Sequence, residues 1–382
     1  MERLAICLRV VDKKGRVCER FLCIREVKDT CSLSLKVAIT QMITDHKLTM
    51  CRIRGQGYDG ASNMRGEING LKTLIMNDTP SAYYVHCFAH QLRLTLVAVA
   101  RENDDCKWFF EQIGFLINLM GVSCKRKDML RVIQAQKIIE GLELGEIQSG
   151  KGLNQELGLA RPGDTRWGSH YNTILNIVAL YPSIYEVLLI VGKNGHKDDR
   201  IKAQTIMLSF ESFQFVFMAR LMIVIFGHTN ELCQALQRRD QDIVNAMTHV
   251  RLTKERLRNI RNNGWEYFLD GVISLCAKYN IKVPNMDDNY VPPGRSRRYF
   301  EKVTNLHRFR VEMFLSIVDL QLQELDNRFN EVNMELLICM SCYSPINKYE
   351  AFDRQKLCRL AECCPKDIAC TDLTRREVQL DH

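Results

Sequence analysis

The hydrophobic period of this chain changes near residue 104, and that change constrains the fold more than any other feature. Before it, short β-rich runs alternate with helical stretches. Residues 4–11 and 17–27 are strand-like and are joined by Asp12-Lys13-Lys14-Gly15, a hairpin turn. Residues 32–46 place Leu35, Ala38, Ile39, Met42 and Ile43 on one helical face. A short strand over residues 50–53, a Gly-rich turn and a helix through Leu71, Leu74 and Ile75 follow. Residues 82–87 form another strand, and Leu92, Leu94, Leu96, Val97 and Val99 continue a helix. Strand, strand, helix, strand, helix, strand, helix is an α/β order.

Residues 105–283 carry helical spacing throughout. The long loop over residues 141–163, rich in glycine, leads to Arg166-Trp167-Gly168-Ser169. A second break, residues 283–298, contains Pro284, Pro292, Pro293 and Gly294. Beyond it Phe314, Val318, Leu322, Leu325, Phe329, Val332 and Leu336 recur every three or four residues. That pattern is a long helix, packed on the helical domain in preference to a homotypic coiled coil, because the repeat is short.

At 382 residues the chain is long enough for two domains, since single cores stop growing at roughly 250–300 residues. The net charge of +8 permits a polyanionic partner without demonstrating one. No secretory signal precedes the 16 cysteines, and Cys7, Cys23, Cys51 and Cys276 lie in apolar patterns. Reduced core thiols of an intracellular protein are therefore expected. Residues 221–226 are strongly apolar but flanked by Glu211 and Arg220. A span needs about 20 apolar residues, so no membrane segment is expected.

The chemistry concentrates in Arg54-Gly55-Gln56-Gly57-Tyr58-Asp59-Gly60-Ala61-Ser62-Asn63-Met64 and Tyr84-Val85-His86-Cys87-Phe88-Ala89-His90-Gln91-Leu92. Asp59 sits just beyond a strand, where open α/β sheets bind ligands, and can hold a metal there. It can equally cap a following helix, and spacing alone favours the cap. The Gly-Tyr-Asp-Gly-Ala-Ser-Asn-Met and His-Cys-Phe-Ala-His-Gln-Leu pair resembles the core signature of hAT-family DNA transposases, nearest to their domesticated, zinc finger MYM-type-like branch. Arg166-Trp167-Gly168-Ser169 is similar to that family's Arg-Trp-x-Ser motif, and residues 295–345 resemble the same branch.

The resemblance implies an α/β plus all-α chain: an incomplete RNase H-like mixed sheet over residues 1–104, then a large helical insertion domain over 105–345. Residues 346–382 would lead toward a C-terminal dimerisation region absent here. It also implies three carboxylates holding two Mg or Mn ions for DNA cleavage and strand transfer. Asp59 matches the second carboxylate. The first belongs on a strand before the hairpin, for which Asp12, in a turn, is no substitute. None of Glu335, Glu350 and Glu362 has the surroundings of the third. One carboxylate of three implies a protein that does not cut DNA, with no cofactor expected in this chain.

Cys87 and His90 are two ligands of a four-ligand zinc site, and a helix start packed on the sheet is the simpler reading. The same holds for Cys339-x-x-Cys342 with Cys358, Cys363 and Cys364. Trp167 can simply anchor a helix start; in the family the matching residue stacks on an unpaired base, as aromatic rings do on any base face, and the two readings weigh evenly. Arg166, Arg295, Arg297 and Arg298 are candidate DNA contacts. They belong with two basic stretches, residues 238–261 and 295–310, whose cations would release counterions. Charge runs are more often solvated helix faces. DNA and protein are the candidate partners, a homo-oligomer is a further one, and no small-molecule substrate or membrane is expected. The family places such a protein in the nucleus. The rival readings are an active transposase completed by sequence not in this chain, a protein-binding scaffold, and a decayed transposon copy.

Overall fold

A computed structural model of the chain describes residues 2–14, 17–148, 150, 155–159, 167–238, 243–292, 303–329, 339 and 353–362. Contacts divide it into two compact units, Met1–Gln91 with Met334–His382, and Leu92–Asn333. The change of hydrophobic period near residue 104 therefore lies a little beyond the point where the packing divides.

In the first unit, β1 (Glu2–Val11) and β2 (Val17–Val27) form the expected antiparallel hairpin. Asp12 belongs to the turn, its carboxylate accepting from the Lys14 backbone N–H at 2.8 Å. The register slips between Ile6 and Cys7, a bulge in the ladder. Helix α1 (Ser32–Asp45) buries Leu35, Met42 and Ile43. The expected strand at residues 50–53 is corrected: Met50–Arg52 is a turn of 3₁₀ helix, and the strand is β3 (Gly55–Tyr58). Glycines supply half of β3, so it lacks the β-branched residues that mark strands. Met50 and Ile53 instead pack against Val27, Leu35, Leu71, Ile75 and Ala82, the core of this unit.

The helix expected through Leu71, Leu74 and Ile75 forms, and a separate helical turn precedes it. One turn, α2 (Ser62–Arg65), is followed by Gly66–Gly70 and then α3 (Leu71–Asp78). A Cβ on Gly70 would lie 2.2 Å from the Gly66 nitrogen, so only glycine lets the two backbones approach. Strand β4 (Tyr83–His86) then pairs parallel with β3.

Among the described residues the strands form two separate two-stranded sheets, β1–β2 and β3–β4, rather than one mixed sheet. The hairpin is tied to the core mainly through Val27 and Leu4, while Phe21 and Ile24 are exposed. Cys7 and Cys51 are exposed as well, which corrects their assignment to the core. Cys23 is half-buried and Cys276 is buried. The cysteines among the described residues are free thiols.

The helical unit takes in α4 (Phe88–Glu102) from Leu92 onward and continues with α5 (Asp104–Gly121), α6 (Cys124–Glu143), α7 (Trp167–Ala179), α8 (Tyr181–Asn194) and α9 (Lys197–Phe210). Then come α10 (Phe213–Leu236), α11 (Ile243–Asn263) and α12 (Trp265–Lys278). The starts follow local chemistry. Asn103 accepts from the Cys106 N–H at 3.0 Å, with Asp104 and Asp105 in the first turn of α5. Ser212 caps α10 through the Phe215 N–H at 3.1 Å.

Helix α10 is the axis of this unit. Phe215, Val216, Phe217, Met218 and Ala219 are consecutive and all buried, so every side of the helix is covered. By length and composition α10 could cross a membrane, but 61% of its most apolar window is buried inside the unit, as in a core helix. Phe210 and Tyr279 sandwich Tyr181, at 4.2 and 4.1 Å between ring centroids.

The long C-terminal helix exists through Arg328 and begins differently from its pattern. His307–Leu315 is π-helical and continues as α13 (Ser316–Arg328). Phe314, Val318, Leu325 and Phe329 are buried within this unit, which is the packed arrangement. Val332 and Leu336 lie outside the described residues. Arg308 of the π-helical segment meets Asp105 at 2.5 Å, and Gln214 of α10 donates to the same carboxylate at 3.2 Å. Both ionic side chains are mostly buried, so separating them would strand a charge.

Hydrogen exchange on the whole chain should separate the hairpin from the axis helix. Amides of β1 should exchange quickly, since its outer edge has no partner strand among the described residues, and those of residues 221–226 slowly. Equal, strong protection in both would show that β1 is held by more than β2.

Candidate functional site

Parallel pairing positions the site. Gly55 faces Tyr83 and Tyr58 faces His86, and the ladder continues one step as the Cys87 N–H donates to the Tyr58 carbonyl at 3.1 Å. The carboxyl ends of both strands therefore coincide, with Asp59 leaving one and Cys87 the other. That is where ligands of parallel sheets bind.

Most residues of the first motif have structural work. Gln56 donates to the carbonyls of Lys72 (3.1 Å) and Ala82 (2.9 Å) and accepts from the Tyr58 hydroxyl (2.7 Å), so β3 is bolted to its neighbours by one amide. Arg54 donates to the Cys51 carbonyl at 2.9 Å. Asn63 donates to the Thr30 carbonyl at 2.6 Å and Ser32 to the Asn63 carbonyl at 2.7 Å, which holds the turn against the start of α1. Met64 packs on the core. At Gly60 a Cβ would come within 2.5 Å of the His86 imidazole, so this position must be small.

Asp59 is different. It is exposed, and its carboxylate accepts one long bond, 3.4 Å, from the Ala61 N–H. The helix-cap alternative does not hold, because the N-cap of α2 is Ala61 and carries no side-chain cap. Its backbone carbonyl accepts from the Tyr84 hydroxyl at 3.0 Å.

Rings extend from this point in a row that sequence pattern alone did not single out. Tyr58, Tyr84, His86 and His90 follow one another with centroids 4.9, 6.3 and 5.5 Å apart. The period-two spacing of Tyr84 and His86 on β4 was the available signal. The phenol of Tyr84 is pushed up to about 12, chiefly by burial and then by the negative charge of Asp59, with Arg65 opposing and Cys87 adding to the rise.

Cys87 is exposed, and its carbonyl accepts from the Gln91 N–H at 2.9 Å, so Cys87 and His90 mark the first turn of α4. Among the described residues no group of three His, Cys, Asp or Glu side chains could hold a metal, either here or around Cys339 and Cys358. Glu362 lies at the surface, paired with Arg359 at 2.7 Å. Glu335, Glu350, Cys342, Cys363 and Cys364 lie outside the described residues.

Of the candidate DNA contacts, Arg166, Arg295, Arg297 and Arg298 lie outside the described residues. Trp167 opens α7, but its side chain lies outside them as well. The basic stretch on α11 is largely occupied. Lys254 and Arg258 pair with Asp326, Arg256 with Glu231, Arg251 with Glu255 and Arg261 with Asp319. Exposed pairs of this kind stabilise little, yet they cancel much of the charge that a polyanion would meet. In the second stretch, Arg308 is committed to Asp105 and Arg310 lies over the Trp265 ring at 5.9 Å.

Residues 1–70 match a family model described as DUF4371, the ZMYM1/FAM200 RNase-like domain. The match takes in the hairpin, α1, β3, Asp59 and α2, and over that stretch supports a transposase-derived RNase-like domain of the ZMYM1/FAM200 kind. No solved structure matches the chain.

Tyr84 carries a direct readout of this geometry. Its phenolate absorbance, isolated by difference from Tyr84→Phe, should rise near pH 12 rather than at the ordinary 10.0. Asp59→Asn should lower that midpoint without restoring it fully, since burial remains. A raised pKa in the folded state means that Tyr84's contribution to stability is complete below pH 10 and is lost as pH climbs toward 12. A midpoint unmoved by Asp59→Asn would show that the carboxylate lies too far from the ring to act on it.

Proposed function

We propose that this chain is a transposase-derived protein, related to the zinc finger MYM-type-like branch of the hAT family, that does not cut DNA and works through binding. The observation that carries this reading is the division of labour in the Asp59 motif. Every neighbour of Asp59 from Arg54 to Met64 that makes a polar or core contact secures the turn. The carboxylate itself secures almost nothing. A carboxylate held out at the end of a parallel strand by such a frame is the form of a metal ligand.

Two-metal cleavage needs several carboxylates, because two dications a few ångströms apart must be bridged and neutralised. Asp59 is not joined by two further metal-ligating side chains among the described residues. If a Mg or Mn ion bound, Asp59 would be the residue to hold it, and the ion would supply Lewis-acid activation of a water.

Nucleic-acid binding is the function proposed in place of cleavage. Because the α11 cations are paired, we assign the role to Arg166 and Trp167 and to Arg295, Arg297 and Arg298. The nucleus follows as the proposed location, and a second copy of the chain or another protein as further partners.

Two experiments test this reading. With Mg²⁺ or Mn²⁺ present, the purified chain should neither nick nor hairpin duplex DNA; metal-dependent cleavage that disappears in Asp59→Ala would overturn the inactive assignment. Separately, affinity for duplex and single-stranded DNA should fall steeply with salt and depend little on sequence. The triple neutralisation of Arg295, Arg297 and Arg298 should weaken it for every sequence, and an unchanged affinity would remove that cluster from the interface.

A further inference from the structure

In the helical unit, one face of α10 and the corner between α11 and α12 border a half-open cavity of about 320 Å³. Arg220, Val224 and His228 line it from α10, and Ile260, Tyr267 and Phe268 from the corner. Its volume lies at the lower end of the range for small-molecule sites, and its walls combine apolar surface with a few polar groups.

The polar groups are unbalanced. Arg220 lies against the backbone at Gly271, its Nε is buried without a hydrogen-bond partner, and no carboxylate pairs with it among the described residues. That sets it apart from the cations of α11, which reach acids. A guanidinium drawn partly out of water without a counter-charge is costly, and a bound anion would remove that cost. The one carboxylate at the cavity, Glu231, is engaged by Arg256 at 3.1 Å. His228 does not add charge, because burial lowers its pKa; its Nδ1 is buried and also lacks a partner. The cavity therefore holds one uncompensated positive charge. Around it stand Val224, Ile260 and Phe268, with the Tyr267 ring largely exposed.

We propose that this cavity is a binding site for a small molecule carrying one oxyanion group on an apolar body, with the anion on the Arg220 guanidinium and the body against Val224, Phe268 and Tyr267. The charge selects the anionic end, since a neutral ligand would leave Arg220 as it is. The size selects a single ring or a short chain. A planar guanidinium accommodates carboxylate and phosphate alike, so the two share this chemistry and are separated by experiment.

The test is a titration of the full chain with benzoate, phenyl phosphate, inorganic phosphate and benzyl alcohol, followed by isothermal calorimetry and by the Arg220 Nε–H resonance. The site predicts saturable one-to-one binding of benzoate or phenyl phosphate, and whichever binds more tightly identifies the anion. Arg220→Gln should weaken that binding by about tenfold or more while the thermal melt stays cooperative. Val224→Phe, which fills the cavity and keeps Arg220, should also weaken it, and this variant decides the matter if Arg220→Gln does not fold. Four results would overturn the proposal: no saturable binding of either aromatic anion at about 10 mM, equal binding by Arg220→Gln, benzyl alcohol binding as tightly as benzoate, or inorganic phosphate binding as tightly as phenyl phosphate. The third would show an apolar cavity only, and the last would show that the apolar walls play no part.

Discussion

Four residues of parallel pairing, Gly55–Tyr58 against Tyr83–His86, bring together every group of the candidate site. Neither strand would hold alone. A two-stranded ladder is marginal in water, and this one depends on the Gln56 amide, which reaches both the Ala82 and Lys72 carbonyls, and on the core beneath it. Once the ladder forms, Asp59 and Cys87 must emerge at the same end. The Tyr84 hydroxyl then reaches the Asp59 carbonyl, and the His86 ring fills the space that Gly60 leaves. The site is a consequence of strand direction, and its one exposed acid follows from that direction too.

The helical unit obeys a different constraint. Its axis helix is buried on all sides over Phe215–Ala219, so the surrounding helices must cover it there, and their polar residues are then drawn into contacts with one another. Asp105, Arg308 and Gln214 meet in one partly buried cluster, and Gln321 reaches Thr95 at 3.0 Å in another. The acids of α13 meet the cations of α11 in the same way. As a result, the cations of α11 offer less free positive surface than their number suggests. Arg220 stands out against this background because it is drawn partly into the unit and, among the described residues, pairs with no acid.

The parts of the fold legible in sequence were those with local causes. The Asp12-Lys13-Lys14-Gly15 turn specified the hairpin, and three-to-four spacing specified α1 and α13. Strand β3 was hidden because its glycines carry no strand preference, while Met50 and Ile53 looked like a strand and serve as core anchors. The break between α2 and α3 depends on Gly66 meeting Gly70 backbone to backbone, which no hydrophobic period records. The π-helical opening at His307–Leu315 and the Asp105–Arg308 pair escaped for the same reason: each depends on what lies across the unit, not on its own spacing. Asp59 was singled out from sequence, but only the structure separates it from its helix-cap alternative.

A manganese titration bears most directly on the central claim, that the Asp59 frame persists without the ligand set of a working metal centre. Paramagnetic broadening of backbone amides in the full chain would report where Mn²⁺ resides and how tightly. A lone exposed carboxylate should give broadening at Asp59, Gly60 and Ala61 that grows without saturating up to about millimolar metal. Saturation at about micromolar Mn²⁺, centred on those residues and abolished by Asp59→Ala, would contradict the account and restore a metal site to the chain.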